Sequence, residues 1–120
     1  MTFEKLRPML WTEKMDETIA FYCKILGFIC AEKDDSLGWA SLYKNDVEIM
    51  LAKPNAHEDY KHIGFSGSFY ITVDDVDALW LEIKDKVKVC YPIEDFSWNM
   101  REFGIYDNNG YILQFGKEIS

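Results

Sequence analysis

The residue types best suited to metal chemistry are two histidines, His57 and His62, which flank Glu58 and Asp59. Imidazole beside carboxylate can hold a divalent ion. The stretch 53–67 around them has no hydrophobic periodicity and holds Pro54, Asn55, Gly64 and Gly67. It therefore reads better as a solvated linker with two incidental histidines. No serine or cysteine lies in a motif with a histidine that would activate it, so no nucleophilic triad is assembled. Cys23, Cys30 and Cys90 form no CxxC pair and each lies in an apolar segment. They read as reduced core thiols of a cytoplasmic protein.

What remains is aromatic and acidic. Aromatic residues make up 16% of the 120 residues, and the net charge is −8. Aromatics bring large area and flat faces, suited to a dense core or to a pocket. The charge argues against nucleic acid, which needs clustered Lys and Arg. An acidic surface favours cationic ligands, although it also serves plain solubility. No apolar run approaches a membrane span, and the opening MTFEKLRPML is not a secretory signal.

The elements that must position such residues repeat along the chain. Leu6–Thr12 reads as a strand, followed by Met15, Ile19, Tyr22 and Leu26 at helical spacing and a stop at Gly27. Phe28–Glu32, Trp39–Lys44 and Val47–Ala52 read as strands, the last two joined by a hairpin at Asn45-Asp46. After the linker the order recurs. Ser68–Val73 is a strand, Asp74 and Asp75 offer an N-cap, and Val76, Leu79, Trp80 and Ile83 form a helical stripe. Val87–Tyr91, Arg101–Tyr106 and Tyr111–Phe115 are strands, with Asn109-Gly110 predicting a type I′ turn. A shift of 61 residues places Leu10 on Ile71 and Asp16 on Asp77, and a shift of 64 places Val47–Met50 on Tyr111–Gln114. The fold class is thus α+β: two βαβββ modules, about 6–52 and 68–116, in one domain spanning 1–120.

Ile19-Ala20-Phe21-Tyr22-Cys23-Lys24-Ile25-Leu26-Gly27-Phe28, Trp98-Asn99-Met100-Arg101-Glu102-Phe103 and Asp107-Asn108-Asn109-Gly110-Tyr111 carry a resemblance. They are similar to the FYxxxLGF, WGMREF and DPDGY stretches of the vicinal-oxygen-chelate superfamily of glyoxalases, bleomycin-resistance proteins and dioxygenases. Asn99 stands for the usual Gly and Asn108 for the usual Pro, and both suit turns. The resemblance implies curved mixed sheets with a concave cavity, and a homodimer with cavities at its interface. In metal-dependent relatives, ligands stand on the first and fourth strands of each module. The matching positions here are Arg7, Met50, Ser68 and Gln114. Arg7 has no lone pair to give and Met50 only a soft thioether, so neither a metal nor another cofactor is expected.

Side chains alternate along strands, so Arg7, Met9 and Trp11 share a face, as do Glu48 and Met50, Ser68 and Tyr70, and Ile112 and Gln114. By resemblance these faces line the cavity. The candidate ligand-binding residues are Arg7, Met9, Trp11, Trp39, Glu48, Met50, Tyr70, Trp98, Arg101 and Gln114. Met9 and Met50 also suit plain core filling, and Arg7 could pair with Glu48 or with a ligand anion. The expected function is non-catalytic capture of a flat small molecule, with cations favoured, such as a bleomycin-type antibiotic. The alternatives are a glyoxalase-type lyase, isomerase or dioxygenase with an atypical site, a metal-free enzyme in which a buried Glu48 or Glu102 acts as a base, and a protein–protein module.

Overall fold

The computed structural model describes residues 1–54 and 67–119. His57 and His62 therefore lie outside the described residues. The chain divides into two compact units, one through Lys61 and one from His62.

In the first unit, β1 (Met9–Trp11) is followed by helix α1 (Met15–Ala20) and three strands, β2 (Ile29–Asp34), β3 (Trp39–Lys44) and β4 (Val47–Ala52). The sheet order is β1-β4-β3-β2, with β1 parallel to β4 and the other pairs antiparallel. Leu10, Ala40, Leu42, Ile49 and Leu51 are buried on one face, where helical Tyr22 and Leu26 are also buried. The alternation that buries these residues turns Met9, Trp11, Trp39, Glu48 and Met50 to the opposite face.

The helix is not one α-helix to Leu26. It opens into a π-helical stretch at Phe21–Ile25, and Phe28 N donates to Tyr22 O at 3.0 Å. The apolar spacing fits both windings, so periodicity did not separate them. Gly27 then turns the chain at φ +79°, and Lys44 Nζ donates to Leu26 O at 3.1 Å. Such a φ strains any residue with a Cβ, which is why glycine stands there.

The second unit repeats the plan: β5 (Phe69–Thr72), α2 (Val76–Ile83), β6 (Lys88–Phe96), β7 (Met100–Tyr106) and β8 (Ile112–Glu118). Its order is β5-β8-β7-β6, again with one parallel pair, β5 with β8. Asp75 rather than Asp74 caps α2, its carboxylate accepting from Ala78 N at 3.1 Å. Val76, Ile83, Phe103, Ile105, Leu113 and Phe115 are buried, and Trp80 of α2 packs on Phe103 with ring centroids 5.0 Å apart.

Three expectations need correction. The strand β6 runs five residues past Tyr91, with register irregularities between Val89 and Tyr91 and between Tyr91 and Glu94, the second containing Pro92, which has no N–H to give to the ladder. The turn at Asn109-Gly110 is not type I′, which needs positive φ at both residues. Only Gly110 has it (φ +101°). Instead Gly110 N donates to Asp107 O, and the buried Asp107 carboxylate accepts from Asn109 N at 2.8 Å and Tyr111 N at 2.9 Å. The aspartate at the head of the turn outcompetes the Asn-Gly signal. Finally, the three cysteines are free but half-buried, not core.

Candidate functional site

Phe103 and Ile105 face α2, so alternation along β7 sends Glu102 and Gly104 to the other face of the sheet. There Glu102 is only 2% exposed. A buried carboxylate is costly unless it is hydrogen-bonded. Three side chains serve it. Tyr70 Oη donates to Oε1 at 2.9 Å, Trp98 Nε1 donates to Oε1 at 2.8 Å, and Tyr91 Oη donates to Oε2 at 2.5 Å. Beyond Tyr91 the chain continues: Gln114 Nε2 donates to Tyr91 Oη at 2.9 Å, and Ser68 Oγ donates to Gln114 Oε1 at 2.5 Å.

Two glycines make room for this. In cross-strand register, Gly104 stands between Tyr91 and Gln114, and Gly116 stands beside Glu102 and Thr72. A Cβ on Gly104 would lie 2.4 Å from Tyr91 Cε1, and one on Gly116 would lie 1.9 Å from Tyr70 Oη. Neither distance is physical. The two tyrosines pass directly over bare backbone, and their hydroxyls reach Glu102. The Gly116→Ala variant should therefore push the Tyr70 ring into solvent at a cost of about 1 kcal/mol. Tyr70 ionises at about 12, pushed up by burial and by its bond to Glu102. Spectrophotometric titration of the variant should show one tyrosine returned toward its ordinary value of about 10.

Burial alone would push Glu102 up, but the bonds from Tyr91, Trp98 and Tyr70 outweigh it and hold the carboxyl below the usual glutamate range. Tyr91 is pushed well up, first by burial and then by its bond to Glu102. Glu102 is thus an anion surrounded by phenols that keep their protons. A carboxylate so stabilised is a poor general base near neutrality.

Trp98 departs from ordinary packing. It is 59% exposed, yet its N–H is anchored to Glu102 and one ring face stacks on Phe96 at 4.7 Å and 15°. Tyr91 and Phe96 meet in a T-shaped contact with ring centroids 5.7 Å apart. Asn99, at φ +68°, turns the chain directly after Trp98.

Three of the expected residues, Tyr70, Trp98 and Gln114, thus come together in one hydrogen-bonded cluster. Arg101 does not join them. Its guanidinium bonds Asp77 of α2 at 2.9 Å and Asp95 at 3.0 Å, on the helix side of the sheet. In the first unit, Met9 and Met50 stand side by side in register, and Ala52 stands between Trp11 and Trp39. Glu48 is paired with Lys5 at 2.6 Å, and Arg7 lies exposed ahead of β1.

The four positions where metal-holding relatives place ligands do not fit a hard divalent ion. Arg7 carries a fixed charge, and Met50 lies in register with another thioether. The Gln114 amide spends its carbonyl on Ser68 and its N–H on Tyr91. Among the described residues, no group of three or more His, Cys, Asp or Glu side chains is placed to hold a metal ion.

A family model described as the glyoxalase/bleomycin resistance protein/dioxygenase superfamily matches residues 6–115. The chain belongs to this superfamily. Among its curated relatives is a bleomycin resistance protein of Geobacillus stearothermophilus, 27% identical over 93% of this chain and 95% of that protein. A superfamily member from Sphaerobacter thermophilus has the same fold, with a TM-score of 0.82 at 17% identity over 98% of both chains. A lactoylglutathione lyase from Agrobacterium tumefaciens aligns with a TM-score of 0.72 at 17% identity, over 95% of this chain and 92% of that one. Identities this low show the fold alone. The superfamily thus includes both enzymes and resistance proteins, and choosing between them falls to the residues of the site.

Glu102, Tyr91 and Phe96 were not among the residues expected to bind ligand. The signal for Glu102 was available, since Phe103 and Ile105 fix the parity of β7. Tyr91 lies between the two register irregularities of β6 and Phe96 beyond the second, and alternation does not carry across them.

Proposed function

We propose that this chain is a non-catalytic binding protein that captures a flat, cationic small molecule by stacking it on Trp98. The ligand would be held in an aromatic cavity at the interface of a homodimer, as in stoichiometric resistance to a bleomycin-type drug. The observation that carries the reading is the exposed indole itself. A free surface tryptophan would be mobile and costly to hydrate, whereas this one is pinned at its N–H and backed by Phe96. A flat platform held in advance loses little entropy when a ligand stacks on it. The surplus of acidic residues supports a cationic partner, and cation–π attraction adds to stacking.

The competing reading, a lyase, isomerase or dioxygenase, has less support. The four ligand positions lack suitable donors, and Glu102 is too well stabilised as an anion to act as the base. The free cysteines are in keeping with a cytoplasmic setting. No helix among the described residues is long and apolar enough to cross a membrane.

Calorimetric titration with proflavine, a planar tricyclic cation, and with bleomycin tests the reading. At least one should bind the intact protein with micromolar affinity. The Trp98→Ala variant should bind roughly tenfold more weakly, the scale of one lost stacking contact. No binding at millimolar ligand, or equal binding by the variant, would contradict it.

A further inference from the structure

The network around Glu102 has a direction. A carboxylate only accepts, so Tyr70, Trp98 and Tyr91 must each point a proton inward. Tyr91 has one proton and spends it on Glu102. Its oxygen can then only accept from Gln114, which fixes the amide with its N–H₂ toward Tyr91 and its carbonyl toward Ser68. The Gln114 carbonyl can only accept in turn, so the Ser68 hydroxyl must spend its proton there. One buried anion thereby sets every hydroxyl and the one amide in the cluster.

The consequence appears at the ends of the network. Ser68 and Tyr70 have both committed their protons inward, and their oxygens are left with lone pairs. Ser68 directly precedes β5 and Tyr70 lies within it, two residues on and about 7 Å along the chain, and both hydroxyls reach the same cluster. Among the described strands, β5 pairs with β8 alone and forms the edge of its sheet. Tyr70 is 43% exposed and Ser68 half-buried.

We infer that Ser68 Oγ and Tyr70 Oη form a specificity-determining pair of hydrogen-bond acceptors that selects ligands bearing a cationic N–H donor, of the amidinium, guanidinium or ammonium class. The inference deepens the binding reading above and rests on it for the flat part of the ligand. A carboxylate or phosphate ligand would face two acceptors with no proton to offer and a buried anion behind them. Reversing either hydroxyl would leave Glu102 or Gln114 short of a donor.

Three flat probes separate the two ideas: 2-naphthamidine, 2-naphthoate and 2-naphthonitrile, which share a ring system and differ in donors and charge. The intact protein should bind the amidine at least tenfold tighter than the nitrile, and the naphthoate most weakly. Ser68→Ala, and separately Tyr70→Phe, should each weaken the amidine severalfold more than they weaken the nitrile. The double variant should abolish most of the preference, roughly tenfold for a lost hydrogen bond to a charged group. Unchanged melting temperatures would establish that each variant is folded. Trp98→Ala should weaken all three probes alike. If the amidine preference survives in the double variant, or naphthoate binds as well as the amidine, the acceptor pair is refuted while stacking stands. If the preference disappears in the double variant but Trp98→Ala changes nothing, the acceptor pair stands and stacking on Trp98 fails. If no probe binds the intact protein, both are overturned.

Discussion

Replacing Glu102 with alanine is expected to destabilise the second unit by about 3 kcal/mol, measured by urea denaturation. The reason lies in what is left behind. Tyr91 is half-buried and would lose its acceptor, and Tyr70 and Trp98 would lose the charge that orients them. Glu102→Gln keeps the shape and one acceptor oxygen, and should cost only about 1 kcal/mol. The difference also has a pH signature. The folded-state pKa of Glu102 is lowered, so its contribution is fully present above the ordinary glutamate value of about 4.3 and is lost as pH falls through the folded value. On the alkaline side Tyr70 ionises at about 12. Its raised value gives stability that is present below about 10 and lost as pH rises toward 12. Glu102→Gln should flatten the acid limb of the stability profile. An acid limb identical in both proteins would show that this carboxylate is not the titrating anchor.

Gly104→Val should cost about 3 kcal/mol, and Gly104→Ala about 2 kcal/mol. An alanine Cβ would already lie 2.4 Å from Tyr91 Cε1 and 2.8 Å from Cδ1. Tyr91 cannot yield as Tyr70 can, because its hydroxyl both donates to Glu102 and accepts from Gln114 and its ring makes a T-shaped contact with Phe96. The strand is central as well, with β6 on one side of Gly104 and β8 on the other. Gly104 is thus required by the ring that crosses it, not by a turn. Thermal denaturation of the two variants beside Gly116→Ala should rank them Val, Ala at 104, then Ala at 116. Equal stability of Gly104→Val and the intact protein would mean that Tyr91 does not lie over this backbone.

The fold was legible because its information is periodic. The bounds of β3, β4 and α2 follow from apolar alternation and the N-cap, and the internal repeat supplies the two units with their matching strand orders. The ends of β6 and the turn at Asp107 were not legible, since they depend on a register slip around Pro92 and on one carboxylate reaching back to two N–H groups. The site was legible in part for the same reason. Tyr70 and Gln114 were reached by alternation, and Trp98 lies in the Trp98–Phe103 stretch that carries the resemblance. Arg101 and Glu102 are neighbours on β7, and parity sends only Glu102 to the face of the cluster. The cluster itself could not be read from spacing at all. It depends on rings passing over glycines, and sequence order does not record which side chain lies above which backbone.

The central claim is that the carboxylate-anchored Trp98 is the platform on which a flat ligand stacks, and its most direct test is the indole N–H region of the NMR spectrum. Trp80, packed on Phe103 beneath the sheet, serves as the internal reference. On titration with proflavine the Trp98 Nε1–H resonance should shift progressively and saturate while that of Trp80 stays in place. A Trp98 resonance that does not move while proflavine binds, or equal movement of Trp80, would contradict the account.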